Sequence, residues 1–325
     1  MDARIIRCAK SQSQLAVQTD AGCVATSWQV RGQEILALPV ALADFLKSQK
    51  TGGIPLLYPY ANRLRADHFT AADKAVELSR ESNLKRDSNG FPMHGLLIRW
   101  ADWIVTQPAQ DELHASIVWG DHAQLFAAYP FAHTLRVRWK LGQSPDQPSN
   151  QITNPSTYAQ GTSMTDESLI ASTLTVTTII AADKGQDVPV SFGWHPYLAL
   201  HDRVNTQLHL PARRVITLEQ NGLPAVGATS TTWLPACAQS ALAPMDDLFQ
   251  LNTRDESPVA SIVAPRQRLQ MTLTSGYSHM QVYSPKGANF VCVEPMTAAT
   301  NALCDGAAVV KSGNTFSARF DLRVL

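Results

Sequence analysis

An isolated acid in an apolar run is the first feature of this sequence that points to chemistry. Residues 290–303 read FVCVEPMTAATNAL, in which Glu294 is the single charged side chain and Pro295 follows it. Proline removes a donor from a sheet ladder, so a strand is expected to stop there and leave Glu294 at its end, beside a loop of small and hydroxyl-bearing residues. A carboxylate so placed can serve as a general base, or can simply mark where a strand ends. Two histidines stand in comparable places. In residues 189–197, PVSFGWHPY, His195 lies between Trp194 and Pro196. An extended chain would put Gly193, His195 and Tyr197 on one face and Phe192 and Trp194 on the other, with Gly193 leaving room for a ligand. In residues 90–103, GFPMHGLLIRWADW, His94 sits at a turn between Pro92 and Gly95, expected to lead into a strand. Imidazole exchanges protons near neutrality, although a lone histidine is more often a hydrogen-bonded structural residue.

Groups able to hold a polar ligand accompany these three. Residues 52–65, GGIPLLYPYANRLR, carry Asn62 and Arg63: an amide that donates and accepts, and a fixed fork of donors, both suited to sugar hydroxyls or a carboxylate. Residues 244–251, PMDDLFQL, carry Asp246 and Asp247 before an apolar run, a pattern that by itself reads as a turn or helix start. Trp100 and Trp103 suit either the core or a platform for a ring. The nine histidines show no HxH, HxxxH or HExxH spacing, so no metal site is expected, and GxSxG, P-loop and GxGxxG patterns are missing as well.

The elements that must position these residues are strands. In residues 133–141, HTLRVRWKL, Leu135, Val137, Trp139 and Leu141 alternate with Thr134, Arg136, Arg138 and Lys140, the pattern of a half-buried strand. The same period of two recurs at Leu113, Ala115, Ile117 and Trp119, at Leu269, Met271 and Leu273, and at Phe316, Ala318, Phe320 and Leu322. Residues 75–79, 168–181, 188–198, 207–210, 259–264 and 280–284 are further strand candidates, whereas residues 40–48 are the one short helical pattern. Many short alternating strands broken by Pro, Gly, Asn and Asp predict an all-β fold, a large antiparallel β-sandwich spanning residues 1–325 as one domain. A polar stretch at about 143–166, QSPDQPSNQITNPSTYAQGTSMTD, reads as a long exposed insertion between two strands.

Composition narrows the class. At 325 residues with 45% apolar side chains, the chain should bury ~75% of its unfolded surface in a substantial core. Its 27 basic and 27 acidic residues cancel, which argues against nucleic acid or an anionic membrane as partner. Five cysteines without a CxxC, no signal-peptide pattern and no run long enough to cross a bilayer predict a reduced, cytoplasmic protein, monomeric or homodimeric.

Taken in order, six segments resemble the aldose 1-epimerase (galactose mutarotase) family: YPYANR at 58–63, PMHG at 92–95, GWHPY at 193–197, MDDLF at 245–249, QVYSP at 281–285 and CVEPMTAATNAL at 292–303. Each is weak alone, and the ordered set covers most of the chain. The resemblance implies a galactose mutarotase-like supersandwich and a cofactor-independent isomerase that interconverts the α and β anomers of a sugar. Carried over by motif, it implies Glu294 as general base, His195 as general acid and His94 as a group holding the substrate near its reacting oxygen. Arg63 and Asp246 would bind hydroxyls, with Asp247 as competitor for the latter place, and Asn62 would support the same loop. Relatives acting on hexose 6-phosphates use arginines, for which Arg99 and Arg65 are the candidates. A non-catalytic sugar-binding relative and a carbohydrate lyase on a related sandwich are the other classes left open.

Overall fold

The computed structural model describes residues 3–80, 84–145, 170–254 and 256–325. Two large antiparallel sheets dominate it. The first has nine strands in the order Cys237–Ser240, Gln207–Leu210, Val259–Ala264, Gln267–Ser275, Thr315–Val324, Ile170–Ala182, His133–Pro145, Glu112–Val118 and Ile104–Ala109. The second runs Pro224–Thr229, Arg213–Leu218, Met245–Leu251, His279–Ser284, Phe290–Met296, Gly193–Trp194 and Leu56–Leu57, with Tyr197–Ala199 also paired to Phe290–Met296. A four-stranded sheet made by residues 4–34, the hairpin His68–Ala71 with Lys74–Glu77, and the long-range pair Val188–Val190 with Ala308–Val310 complete the strands among the described residues. Among the described residues, helix is limited to short pieces; Leu42–Lys47 lies within the one helical pattern of the sequence. No helix among the described residues is long and apolar enough to cross a membrane.

The alternation seen in the sequence becomes the core. Leu135, Val137, Trp139 and Leu141 are buried on one face of His133–Pro145, while Arg136 and Arg138 on the other are exposed. Across the layer, Trp194 meets Trp139 edge-on at 5.1 Å and Phe320 at 6.2 Å, and its Nε1 donates to Thr178 Oγ1 at 3.0 Å. Phe192 likewise packs on Phe316 at 6.1 Å. The face of the second sheet that carries Trp194 is therefore glued to the first sheet by aromatic contact and apolar burial. Its opposite face is left for other work.

Two strand boundaries differ from the sequence reading. The candidate strand 188–198 is three short strands, Val188–Val190, Gly193–Trp194 and Tyr197–Ala199; Pro196 falls at the second break, whereas Pro189 sits within the first strand, paired with Val309. Conversely, Phe290–Met296 runs through Pro295 and leaves Glu294 inside the strand rather than at its end. The neighbour explains this: Gly193 pairs with Met296 and Tyr197 with Cys292, but the ladder lapses between them. Thr297 N donates to Phe192 O at 2.9 Å, so by alternation Pro295 turns its missing N–H toward this same side, where little pairing is lost. Of the polar stretch at 143–166, residues 143–145 belong to the strand His133–Pro145, and 146–166 lie outside the described residues.

Candidate active site

Register alone assembles most of the site. Reading across Met245–Leu251, His279–Ser284 and Phe290–Met296, Asp246 lies opposite Tyr283 and Tyr283 opposite Cys292. In the next row, Leu248 lies opposite Gln281 and Gln281 opposite Glu294. Paired residues of antiparallel strands share a face, and positions two apart along a strand share it too. Asp246, Gln281, Tyr283 and Glu294 therefore rise from one surface, the one turned away from Trp194. Asp247, opposite Val282, points to the other side. Of the two acids in MDDLF, it is Asp246 that faces the site, from within a strand rather than from a turn.

The fourth strand of the row supplies His195. Counting inward from the pairs Gly193–Met296 and Tyr197–Cys292 brings His195 opposite Glu294 at the lapse in the ladder. His195 Nε2 lies 3.4 Å from Glu294 Oε1, and the two residues are 6% and 1% exposed. Gly193 allows this approach. A Cβ there would stand 2.9 Å from Pro295 O and 3.0 Å from both Ala61 Cβ and Met296 Cγ. The space beside Gly193 is thus filled by the protein itself, not reserved for a ligand as the sequence reading had it.

Two loops close over this surface. Residues 62–64 and 92–94 pair antiparallel, with Arg63 opposite Met93 and His94 N donating to Asn62 O at 2.8 Å. His94 has φ +66°, followed by Gly95 at +75°, so the turn that was expected to feed a strand is a left-handed bend instead. A Cβ at Gly95 would fall 2.2 Å from Tyr58 O, which only glycine avoids. The bend brings the His94 ring edge-on to His195, centroids 5.4 Å apart. Asn62, also left-handed at φ +52°, donates through Nδ2 to Thr300 Oγ1 at 2.9 Å and Gln281 Oε1 at 3.3 Å. Gln281 Nε2 then donates to Asp246 Oδ1 at 2.6 Å. A polar chain Thr300–Asn62–Gln281–Asp246 so spans the floor, tying the loop to the sheet. Arg63 is braced by Asp87, Nε to Oδ2 2.7 Å, and its guanidinium lies against the turn at Gly222.

The surroundings decide the charges. Leu57, Ala61, Ile98, Ile216, Leu248 and Met296 form a small apolar cluster on this face. Burial raises the Glu294 carboxyl well above the usual carboxylate range, with the Asp246 charge adding to the effect and Arg63 opposing it. Burial lowers His195 to about 3, helped by the charge of Lys85, and lowers His94 through burial, Lys85, His195 and Arg63. Both members of the pair therefore resist ionisation. His94 Nδ1, His195 Nδ1 and Glu294 Oε2 are buried without a protein hydrogen-bond partner among the described residues. Such a cluster of unsatisfied polar atoms is what a ligand rich in hydroxyls would satisfy.

The six candidates Glu294, His195, His94, Arg63, Asn62 and Asp246 are thus joined in one network of contacts and electrostatic neighbours. The other named residues fall elsewhere. Arg99 donates through Nη2 to Phe45 O at 3.0 Å and Lys50 O at 2.8 Å and stacks on the Phe45 ring, closing the end of the helix Leu42–Lys47. Arg65 is exposed beside Asp305 at 3.6 Å. Trp100 and Trp103 pack, partly buried, against the core. Sequence reasoning missed Gln281, whose signal is a polar residue on the inward side of a strand otherwise buried, and Lys85. Met93 N donates to Lys85 O at 2.8 Å, and Arg86 pairs with Pro92, so Lys85, Met93 and Arg63 form one row across three segments. Nothing in the local sequence marks Lys85, because its place depends on that pairing.

Fold and site together define a large antiparallel sandwich with a buried carboxyl–imidazole pair at a lapse in one sheet. The aldose 1-epimerase family model matches residues 5–156 and 168–318, and the chain belongs to that family. Among solved structures it is similar to the Slr1438 protein of Synechocystis sp. PCC 6803, at 22% identity and TM-score 0.72 over 99% of this chain and 95% of that one. A galactose mutarotase-like protein from Clostridium acetobutylicum matches at 14% identity and TM-score 0.70, covering 100% of this chain and 99% of the other. The GalM/aldose epimerase homologue of C. elegans matches at 12% identity and TM-score 0.71, covering 99% and 97%. No curated protein matches the chain.

Proposed function

We propose that the protein is an aldose 1-epimerase that interconverts the α and β anomers of a free aldohexose, with Glu294 and His195 exchanging protons with the sugar. The observation that carries this reading is the Nε2–Oε1 approach of 3.4 Å at the lapse between strands. Ring opening needs a base at the C1 hydroxyl and an acid at the ring oxygen, acting together. A carboxyl and an imidazole that share one proton provide both, since each accepts what the other gives. Sugar hydroxyls donating to the carboxylate would stabilise its charged form and move the shared proton to His195. Glu294 then takes the C1 hydroxyl proton while His195 protonates the ring oxygen, and the C1–O5 bond breaks to an open-chain aldehyde. Rotation about C1–C2 presents the other carbonyl face, and the reverse transfers close the ring as the other anomer. The protons balance over the cycle, and each group is asked for ~10²–10⁴-fold of rate.

In this reading His94 holds the reacting oxygen from its bend above His195, while Arg63 and Asp246 take hydroxyls further round the ring. The arginines that a 6-phosphate would call on, Arg99 and Arg65, are engaged with carbonyl groups and with Asp305, which favours an uncharged sugar. Polarimetry of fresh α-glucose, α-galactose and glucose 6-phosphate, with and without protein, is the test. Acceleration of a free sugar supports the assignment. Acceleration of the phosphate alone transfers it to phosphosugars, and sugar binding without acceleration removes it in favour of a binding protein.

A further inference from the structure

We propose that Tyr197 is the positioning residue of His195, holding the imidazole by ring stacking in place of the hydrogen bond that usually orients a proton-transferring histidine. The proposal rests on reading His195 as a proton-transfer group. In most such histidines the second ring nitrogen donates to a carboxylate or a carbonyl, which fixes both tautomer and rotation. Here Nδ1 of His195 is buried and finds no hydrogen-bond partner on another residue among the described residues. What the ring does have is a parallel neighbour: the Tyr197 ring lies 4.6 Å away, centroid to centroid, at 11° between planes. His94 and Tyr283 approach the same imidazole edge-on at 5.4 and 6.4 Å.

Tyr197 is itself held at both ends. Its backbone N donates to Gly53 O at 2.7 Å and its carbonyl accepts from Ala37 N at 2.9 Å. Its hydroxyl is 2.8 Å from Thr51 Oγ1, and the Phe290 ring packs beside it at 4.9 Å. The sequence builds the stack: residues two apart in extended chain share a face, and Pro196 between them fixes its own φ and keeps His195 extended. Rotation of the imidazole out of the stack would lose the aromatic contact and turn Nε2 away from Glu294. When proton transfer makes the ring cationic, the tyrosine π face also stabilises that charge in a place shielded from water.

Three variants and a spectroscopic reading test this. Tyr197→Leu removes the ring, Tyr197→Phe keeps it without the hydroxyl anchor, and Tyr197→Met fills the space with a flexible chain if the leucine variant does not fold. The expected result is a kcat lowered about 10–100-fold in Tyr197→Leu or Tyr197→Met, as small misplacements of a reacting group produce. KM should change by less than about threefold, as for an effect confined to the transition state, and Tyr197→Phe should restore most of the lost rate. Proton–nitrogen NMR of histidine-labelled protein, with the His195 signals assigned through His195→Asn, should show a ring-current shift kept in Tyr197→Phe and lost in Tyr197→Leu. Full kcat without the ring, or equal losses in the phenylalanine and leucine variants, overturns the proposal. If the wild-type protein accelerates no sugar, the functional reading fails on its own; an His195 signal unmoved by loss of the ring then overturns the positioning role separately.

Discussion

His195 and Glu294 meet across a place where the sheet has no ladder. The strand Phe290–Met296 is paired by Tyr197–Ala199 at one end and by Gly193–Trp194 at the other, and between them the imidazole and the carboxyl approach to 3.4 Å. A continuous neighbour would have carried ladder hydrogen bonds there. Pro196 and Pro295 both fall at this gap. The pair thus sits at a backbone interruption, buried from solvent.

Removing either member should abolish most of the activity without unfolding the chain. His195→Asn and Glu294→Gln keep size and polarity, so thermal unfolding should shift little while kcat/KM falls ~10²–10⁴-fold in each. The double variant should be hardly worse than either single one, because groups acting as a unit lose their effect together. Anomerisation followed by polarimetry on the purified variants checks this. Additive losses would mean that the two act independently and not as a pair.

The strand register separates two adjacent acids. Asp246 shares the face of Glu294 and accepts from Gln281, whereas Asp247 points away. Asp246→Asn should therefore lower kcat/KM about 10–100-fold, the scale of one hydrogen bond to a charged group. Asp247→Asn should leave catalysis close to wild type, and since burial and the Asp246 charge raise the Asp247 carboxyl, neutralising it should not destabilise the fold. Steady-state rates of the two variants side by side decide it; the reverse order would place the wrong acid in the cleft.

Much of this was legible in the sequence, and the parts that were not share a cause. Period-two patterns such as Leu135–Val137–Trp139–Leu141 foretold the buried faces, because one residue's burial follows from its neighbour's two positions away. The spacing of His195 and Trp194 puts them on opposite faces, as the structure does. Pro295 misled, since whether a proline ends a strand depends on whether its missing N–H would have met a partner, and that is set by a strand nearly a hundred positions earlier. Gly193 misled likewise: the room it leaves is taken by Ala61 and Met296, which only the folded chain brings there. Lys85 carries no local signature, because it owes its place to pairing between segments distant in sequence, and Gln281 shows only as a polar residue in a strand otherwise largely buried.

Lys85 should set the acid limb of the pH profile. Its amine is lowered to about 8 by burial and by Arg99 and Arg63, and its charge in turn disfavours protonation of His94 and His195. In Lys85→Met that opposition is gone and both histidines take up a proton at higher pH. The doubly protonated, inactive form of the Glu294–His195 pair then appears sooner on acidification, so the acid limb of kcat/KM moves upward. Rates measured from about pH 3 upward for both proteins test the sign. An unmoved limb, or one displaced downward, would show that the amine does not act on the pair.

Acid should unfold the protein through histidines buried neutral, and His133 offers the cleanest reading outside the cleft. Its ring lies between Tyr58 Oη, 2.5 Å from Nε2, and Phe131 O, 2.6 Å from Nδ1, so Nδ1–H donates to the carbonyl and Nε2 accepts from the phenol. Burial lowers it to about 4 from its ordinary 6.5, with the Phe131 carbonyl opposing. Because the folded value is the lower one, the unfolded chain binds the proton first. The contribution is complete above about pH 6.5 and is lost as pH falls toward about pH 4. Integrated from about pH 7 to about pH 5, it amounts to about 2 kcal/mol of unfolding free energy. His133→Gln removes the proton site, so whatever it costs at neutral pH, its stability should fall less steeply on acidification, by close to one proton. Urea unfolding at the two pH values measures both slopes; parallel slopes would mean that His133 titrates alike in the folded and unfolded chain.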